Sequence, residues 1–283
     1  MTTTLRPTGP IEEGADGARI RAYEVCDNGR PVGAVVVGTD ADFGARTGVI
    51  HSLRIEEDRR RRGRGAIAAL AAEEVLRGWG CTSVRAEVPA GSAAGRGLAA
   101  MLGFTERGRT LVKETGPRDA ELPAGVTGRP MTEDEFVPWL AGRRQEYAQE
   151  WIDRGVPADQ ARQKSEKTHD ALLPQGPTTE GAHIHQLVAP GPDGGEEVLG
   201  HVWVARRDQD DGLPSGYVYY VEVAERHRGR GHGRALMLLA ENLGRLDGLE
   251  RMGLHVFTTN TTARRLYESL GYLPHSHHLV KDL

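Results

Sequence analysis

The segment Tyr219-Tyr220-Val221-Glu222-Val223 runs through Ala-Glu-Arg-His into Arg228-Gly229-Arg230-Gly231-His232-Gly233-Arg234-Ala235. An apolar strand that breaks into an Arg/Gly turn and then opens a helix is shaped to hold a pyrophosphate. Glycines let main-chain N–H groups approach phosphate oxygens, and the first helical turn adds free donors and a positive dipole end. Farther on comes Asn260-Thr-Thr-Ala263-Arg-Arg-Leu-Tyr267-Glu-Ser-Leu-Gly271-Tyr272. Three groups able to move protons stand around these segments: Glu222 on the strand, His255 on the next strand, and Tyr267 on the following helix. An imidazole of ordinary pKa ~6.5 suits base work near neutrality, whereas a phenol near ~10 stays protonated and donates.

The pattern occurs twice. A shift of 168 residues places Ile55 on Val223, Arg60 on Arg228, Gly63 on Gly231 and Gly65 on Gly233. In the same register Leu98 falls on Leu266, Gly103 on Gly271 and Phe104 on Tyr272. One register held without a gap through Gly, Arg and apolar positions marks an internal repeat. The copies are unequal: Ser92 stands for Asn260, Ala99 for Tyr267 and Arg61 for Gly229.

Arg228-Gly-Arg-Gly231-His-Gly233, followed by the Asn260–Tyr272 block, resembles the GCN5-related N-acetyltransferase (GNAT) superfamily, whose acetyl-CoA loop reads Arg/Gln-x-x-Gly-x-Gly/Ala. The resemblance implies a mixed α/β fold with a largely antiparallel sheet, present here as two tandem acyl-CoA N-acyltransferase domains. It implies acetyl-CoA as cosubstrate, held by Val221 and Val223 through their backbones, by Arg228 to Ala235, and by Asn260 and Ala263. Tyr267 falls on the family's general acid, and a main-chain N–H of the central strand is expected to serve as oxyanion donor. Glu222 and His255 are both candidates for the base, with a water chain as the alternative. The first copy lacks the tyrosine and the two helices that wall the acceptor site in the family, so the second copy is expected to be the active one. Direct acetyl transfer to a primary amine in a ternary complex is what the resemblance implies, the expected acceptor being a small molecule, antibiotics included. A mycothiol synthase-like substrate and a non-catalytic acyl-CoA sensor or scaffold are the alternatives.

Composition sets outer limits. The chain of 283 residues is long enough for two modest cores, and 38% apolar with 27% charged residues describes an ordinary soluble protein. The net charge of −4 argues against a nucleic-acid partner despite the local Arg59–Arg62 run. Apolar runs are strand-sized and no secretory core opens the chain, so a cytoplasmic protein with no membrane partner is expected. Cys26 and Cys81 read as buried thiols. His275, His277 and His278 lack the accompanying ligands of a metal site, and no metal is expected. The partners expected are a small-molecule amine and, as a candidate assembly, a second copy in a homodimer.

The domain ranges expected are 1–115, a Gly/Pro-rich linker at 116–128, and 129–283. Residues 1–17 read as a loose lead-in. Strands are expected near 20–26, 32–38, 47–55 and 82–88, with helices near 63–78 and 92–102. In the second copy Thr132-Glu-Asp-Glu135 is a capping box opening a helix that carries Phe136, Trp139, Tyr147 and Trp151. A helix near 158–172, a hairpin at 183–206, the strand 217–223, a helix to 245, a strand at 252–257, a helix at 261–269 and a strand at 276–281 complete it.

Overall fold

The computed structural model describes residues 2–14, 17–40, 46–153, 156–207 and 212–283. The first copy forms β1 (Thr3–Pro7), β2 (Glu12–Glu13), β3 (Arg19–Asp27), β4 (Arg30–Thr39), β5 (Thr47–Ile55), α1 (Arg64–Gly78), β6 (Ser83–Pro89), α2 (Ala93–Met101) and β7 (Thr105–Glu114). The second begins with β8 (Thr127–Pro130), α3 (Glu133–Asp153) and α4 (Ala158–Leu172). It continues through β9 (Ala182–Pro190), β10 (Glu196–Arg206), β11 (Gly216–Val223), α5 (His232–Leu246), β12 (Arg251–Phe257), α6 (Thr261–Ser269) and β13 (Leu273–Asp282). The sheet is mostly antiparallel and the fold is mixed α/β. Among the described residues no helix is long and apolar enough to cross a membrane.

Two compact units form, and neither is a continuous stretch of chain. The first unit holds the described residues up to Thr110 together with Phe257–Thr259 and Pro274–Leu283; the second holds Leu111–Val256 and Asn260–Leu273. The first unit takes in β13 from Pro274, and the second takes in the end of β7 from Leu111. Within the first unit β13 pairs antiparallel with β6, from Ser276 opposite Pro89 to Asp282 opposite Ser83. Within the second, the end of β7 lies beside β12, and the Thr115 N–H donates to the Glu250 carbonyl at 2.7 Å.

The exchanged strands carry matching locks. Lys281 on β13 reaches the carboxylate of Glu73 at 2.7 and 2.8 Å, and Glu73 on α1 is fully buried. Lys113 on β7 reaches Glu241 at the same two distances, and Glu241 on α5 is 1% exposed. The 168-residue shift maps one pair onto the other. A buried carboxylate without a counter-charge is costly, so each lysine fixes the register of its strand against the helix that it faces. No strand is read at 105–114 from the sequence, because only Leu111 and Val112 are buried apolar residues within it. The lead-in 1–17 likewise contains β1, an edge strand paired with β3 from Thr3 opposite Asp27 to Pro7 opposite Tyr23.

Each unit has its own core. In the first, Val25, Val35, Val37 and Val84 pack under Ala68, Ala72 and Leu76 of α1, with Cys81 also buried. Cys26 is buried as well, and burial pushes the Cys81 thiol up. In the second, Leu187, Val202, Val218, Leu254 and Val256 face Leu236, Leu239 and Leu243 of α5. The opposite face of this sheet carries a separate cluster of Met131, Phe136, Leu173, Ile184 and Trp203, brought together by α3 and α4. The capping box closes as expected, with the Thr132 N–H donating to Glu135 at 2.9 Å.

Candidate active site

The site begins where β11 leaves β12. The two strands are parallel partners only from Gly216–Val218 against Met252–Leu254. The register with β10 explains the parting. Trp203 lies opposite Tyr220 and Val204 opposite Val218, so Tyr219 is an extra residue, a bulge that bends its strand. Its ring stacks on Trp203 at 4.9 Å, which holds the bulge in place. The first unit has the same device. Val36 faces Ser52 and Val37 faces Ile50, passing over His51, the counterpart of Tyr219. Beyond the bulge, Val221 and Val223 pack their side chains on the α5 core and have no ladder partner in β12.

The loop after β11 makes a cradle. Gly229 and Gly231 have φ of 77° and 85°, and Gly231 is the N-cap of α5 with no side chain capping it. Arg234 and Ala235 turn their N–H groups back to the Gly231 carbonyl, at 3.0 and 3.3 Å. The helix start ahead of them presents its amides and dipole to the loop. Gly233 packs closely, since a Cβ there would stand 3.2 Å from a Leu266 methyl. Arg228 folds back, with Nε donating to the Val223 carbonyl at 3.2 Å; Arg60 does the same to Ile55 at 2.8 Å. This arginine shapes the loop in both units. Arg234 turns to the Ser269 hydroxyl at 2.6 Å and Ala235 is core, so their side chains face the protein. The first unit keeps the cradle, with Gly63 at φ 75° and Arg61 at φ 59°. An arginine held in the left-handed region costs about 1–2 kcal/mol, which shows how firmly the surrounding loop imposes its shape.

Asn260 caps α6, its Oδ1 accepting the Ala263 N–H at 3.0 Å. The Ala263 amide is thereby engaged within the start of the helix. Ser92 caps α2 in the same way through the Gly95 N–H at 3.2 Å. The difference is that Asn260 retains an amide NH2.

Tyr267 on α6 is 6% exposed, and burial pushes its phenol up to about 12. None of the described residues hydrogen-bonds its hydroxyl. Its ring rests 6.0 Å from that of Tyr272, which is buried beside Glu241 with Lys113 at 5.7 Å from the ring. Ala99 occupies the corresponding place in the first unit and is also buried.

Glu222 and His255 share the sheet face opposite α5, since their neighbours Val221, Val223, Leu254 and Val256 pack on the α5 core. Glu222 is already engaged. Its Oε2 accepts the Tyr220 hydroxyl at 2.5 Å, and Oε1 lies 3.8 Å from Arg228. The Arg143 guanidinium covers the Tyr220 ring at 4.1 Å. His255 is exposed. Tyr220, Arg143 and His201, which lies opposite Glu222 on β10, were not singled out in the sequence. Only the strand register and the packing of α3 bring them here. Of the aromatic row, Phe136 and Trp151 are core. In the tail, His277 donates from Nδ1 to Glu106 at 2.9 Å, and among the described residues no group of metal-ligating side chains forms.

A strand that parts from its neighbour, an uncapped helix start and a buried phenol beyond them fit a long, phosphate-bearing acyl thioester. This is the arrangement of an acyl-CoA-dependent transferase. The chain belongs to the acetyltransferase (GNAT) family, matched over residues 6–104 and again over 144–272. As a member it is an acetyl-CoA-dependent N-acetyltransferase. It is similar to the uncharacterized N-acetyltransferase YycN of Bacillus subtilis, 29% identical over 145 residues, covering 50% of this chain and 89% of that one. Similarity to the mycothiol acetyltransferase of Beutenbergia cavernae, 29% over 259 residues, covers 86% of this chain and 78% of that one. Among solved structures, a tandem GNAT protein from the clavulanic acid biosynthesis pathway shares the fold at 19% identity. Its TM-score is 0.53, over 95% of this chain and 85% of that one.

Proposed function

We propose that the second unit transfers acetyl from acetyl-CoA to the primary amine of a small molecule, directly and without an acyl-enzyme. Acetyl-CoA supplies the activated acetyl group as a thioester. The observation that carries the reading is the difference between the two units: both keep the bulge, the parted strands and the cradle, but only the second has Tyr267. Gly229, Gly231 and the start of α5 bind phosphate, and the free edge of Val221–Val223 takes an extended, amide-bearing chain and offers an N–H to the oxyanion. Tyr267 donates to the departing sulfur. Complete proton transfer from a phenol near 12 to a thiolate of ~8.5 is uphill by roughly 5 kcal/mol, so its work is to hold the thiolate by a hydrogen bond. Glu222 and His255 lie on the face from which the amine approaches, and removal of the ammonium proton falls to that face.

A second reading has its own support. The similarity to the mycothiol acetyltransferase runs through both units, which favours a cysteinyl amine as one acceptor to test first. Thiol release from acetyl-CoA, measured across a panel of amines that includes cysteinyl glycosides, decides between them; no release with any amine would remove the proposal.

Gly231→Ala is expected to weaken acetyl-CoA binding about tenfold. The new Cβ both strains a φ of 85° and enters the open space before the helix. Gly63→Ala is expected to leave turnover unchanged. Calorimetry and steady-state rates on both variants check this, and a loss confined to Gly63→Ala would move the working site to the first unit.

A further inference from the structure

One row of the second unit's sheet, on the face away from α5, reads Gln186 on β9, His201 on β10 and Glu222 on β11, each directly opposite the next. Directly opposed residues of antiparallel strands hold their Cβ atoms about 4.5–5.5 Å apart on one side. The strands are tight here: a Cβ on Gly200 would stand 2.3 Å from the Glu222 carbonyl oxygen. On the far side of His201, Gln186 is 4% exposed and its Oε1 has no hydrogen-bond partner. None of the described residues hydrogen-bonds the His201 ring.

We propose that His201 is the second member of a proton relay, taking through Glu222 the proton that the acceptor ammonium must lose. This rests on the transfer reading given above. A carboxylate accepts a proton only transiently near neutrality, whereas an imidazole holds it longer because its proton affinity is higher. Neutral imidazole offers one N–H and imidazolium two, and the residues opposite His201 in the sheet carry an unsatisfied amide oxygen, on Gln186, and a carboxylate, on Glu222. His201 acts through Glu222 and is a positioning residue. In the overall step, an N–H bond of the ammonium breaks and the proton passes to Glu222, then His201, then solvent. The freed electron pair forms the C–N bond as the C–S bond breaks with its pair on sulfur. The second proton leaving nitrogen balances the thiol.

The charges facing His201 are Glu222 from β11 and, from α3, Arg143 and Glu135, the last paired with Arg129 of β8. Burial lowers the imidazole's proton affinity, Glu222 and Glu135 raise it, and Arg143 opposes them. The base form therefore predominates above a pKa lying below 6.5, and turnover should rise with pH through that value.

Two measurements on the full chain test the relay. Imidazole nitrogen shifts followed by NMR give the His201 titration without any need for turnover. Glu222→Gln and Gln186→Leu are each expected to lower it by at least half a unit, with thermal melts confirming that the variants fold. An unmoved titration in Glu222→Gln overturns the relay. In kinetics with the best amine, the acid limb of kcat/KM should match the NMR value. In His201→Gln the limb should disappear while the rate at pH 7 falls at least tenfold. Added imidazole should restore part of the rate in His201→Ala. A His201→Gln profile parallel to the parent's also overturns it. A titration that responds to Glu222→Gln in a protein that releases thiol with no amine instead refutes the transfer reading, and the relay falls with it.

Discussion

Tyr267→Phe is expected to bind acetyl-CoA within about twofold of the parent and to turn over about a hundredfold more slowly. The ring stays, so its packing against Tyr272 is kept, and only the hydroxyl goes. A single hydrogen-bond donor aimed at developing charge in a dry site typically contributes two to three orders of magnitude, or roughly 3–4 kcal/mol. Because burial holds the phenol near 12, the hydroxyl remains a donor across the whole useful pH range. The parent's rate should therefore show no basic limb from Tyr267 below about pH 10. Calorimetry for affinity and thiol release for turnover separate the two effects. Unchanged turnover would mean that the tyrosine is only core, and the acid would have to be sought elsewhere.

Lys113→Met is expected to destabilise the protein by about 3 kcal/mol, a fall of roughly 6–12 °C in Tm for a unit of this size. The substitution leaves the Glu241 carboxylate buried, with Arg245 at 4.0 Å as the remaining cation. Pairing Lys113→Met with Glu241→Leu should recover most of the loss, since the cost lies in the stranded charge and not in the missing bridge. Lys281→Met should behave alike toward Glu73. Thermal and denaturant unfolding of the singles and the double give the coupling, and singles within about 0.5 kcal/mol of the parent would contradict it. The prediction also gives the first copy a role in the second unit. That copy contributes the strand whose lysine lies against the ring of Tyr272, the neighbour of Tyr267.

By itself the sequence determined the family, the repeat and the cradle. Gly231 can be read without coordinates because a left-handed helix start needs a residue without a Cβ, and the repeat shows the same demand at Gly63. The places of Asn260 at the cap of α6 and of Tyr267 within it are legible for a related reason, since a short helix after a strand fixes their spacing locally. Only the tertiary structure decided which strand completes which unit. Antiparallel pairing is a long-range choice that local propensity does not specify. The choice becomes visible only where Lys113 and Lys281 meet buried carboxylates. Tertiary structure also assigned Glu222 to Tyr220 and His201, because a bulge at Tyr219 shifts the register by one residue. Nothing in the linear chain announces the bulge at Tyr219, where the tyrosine ring stacks on Trp203.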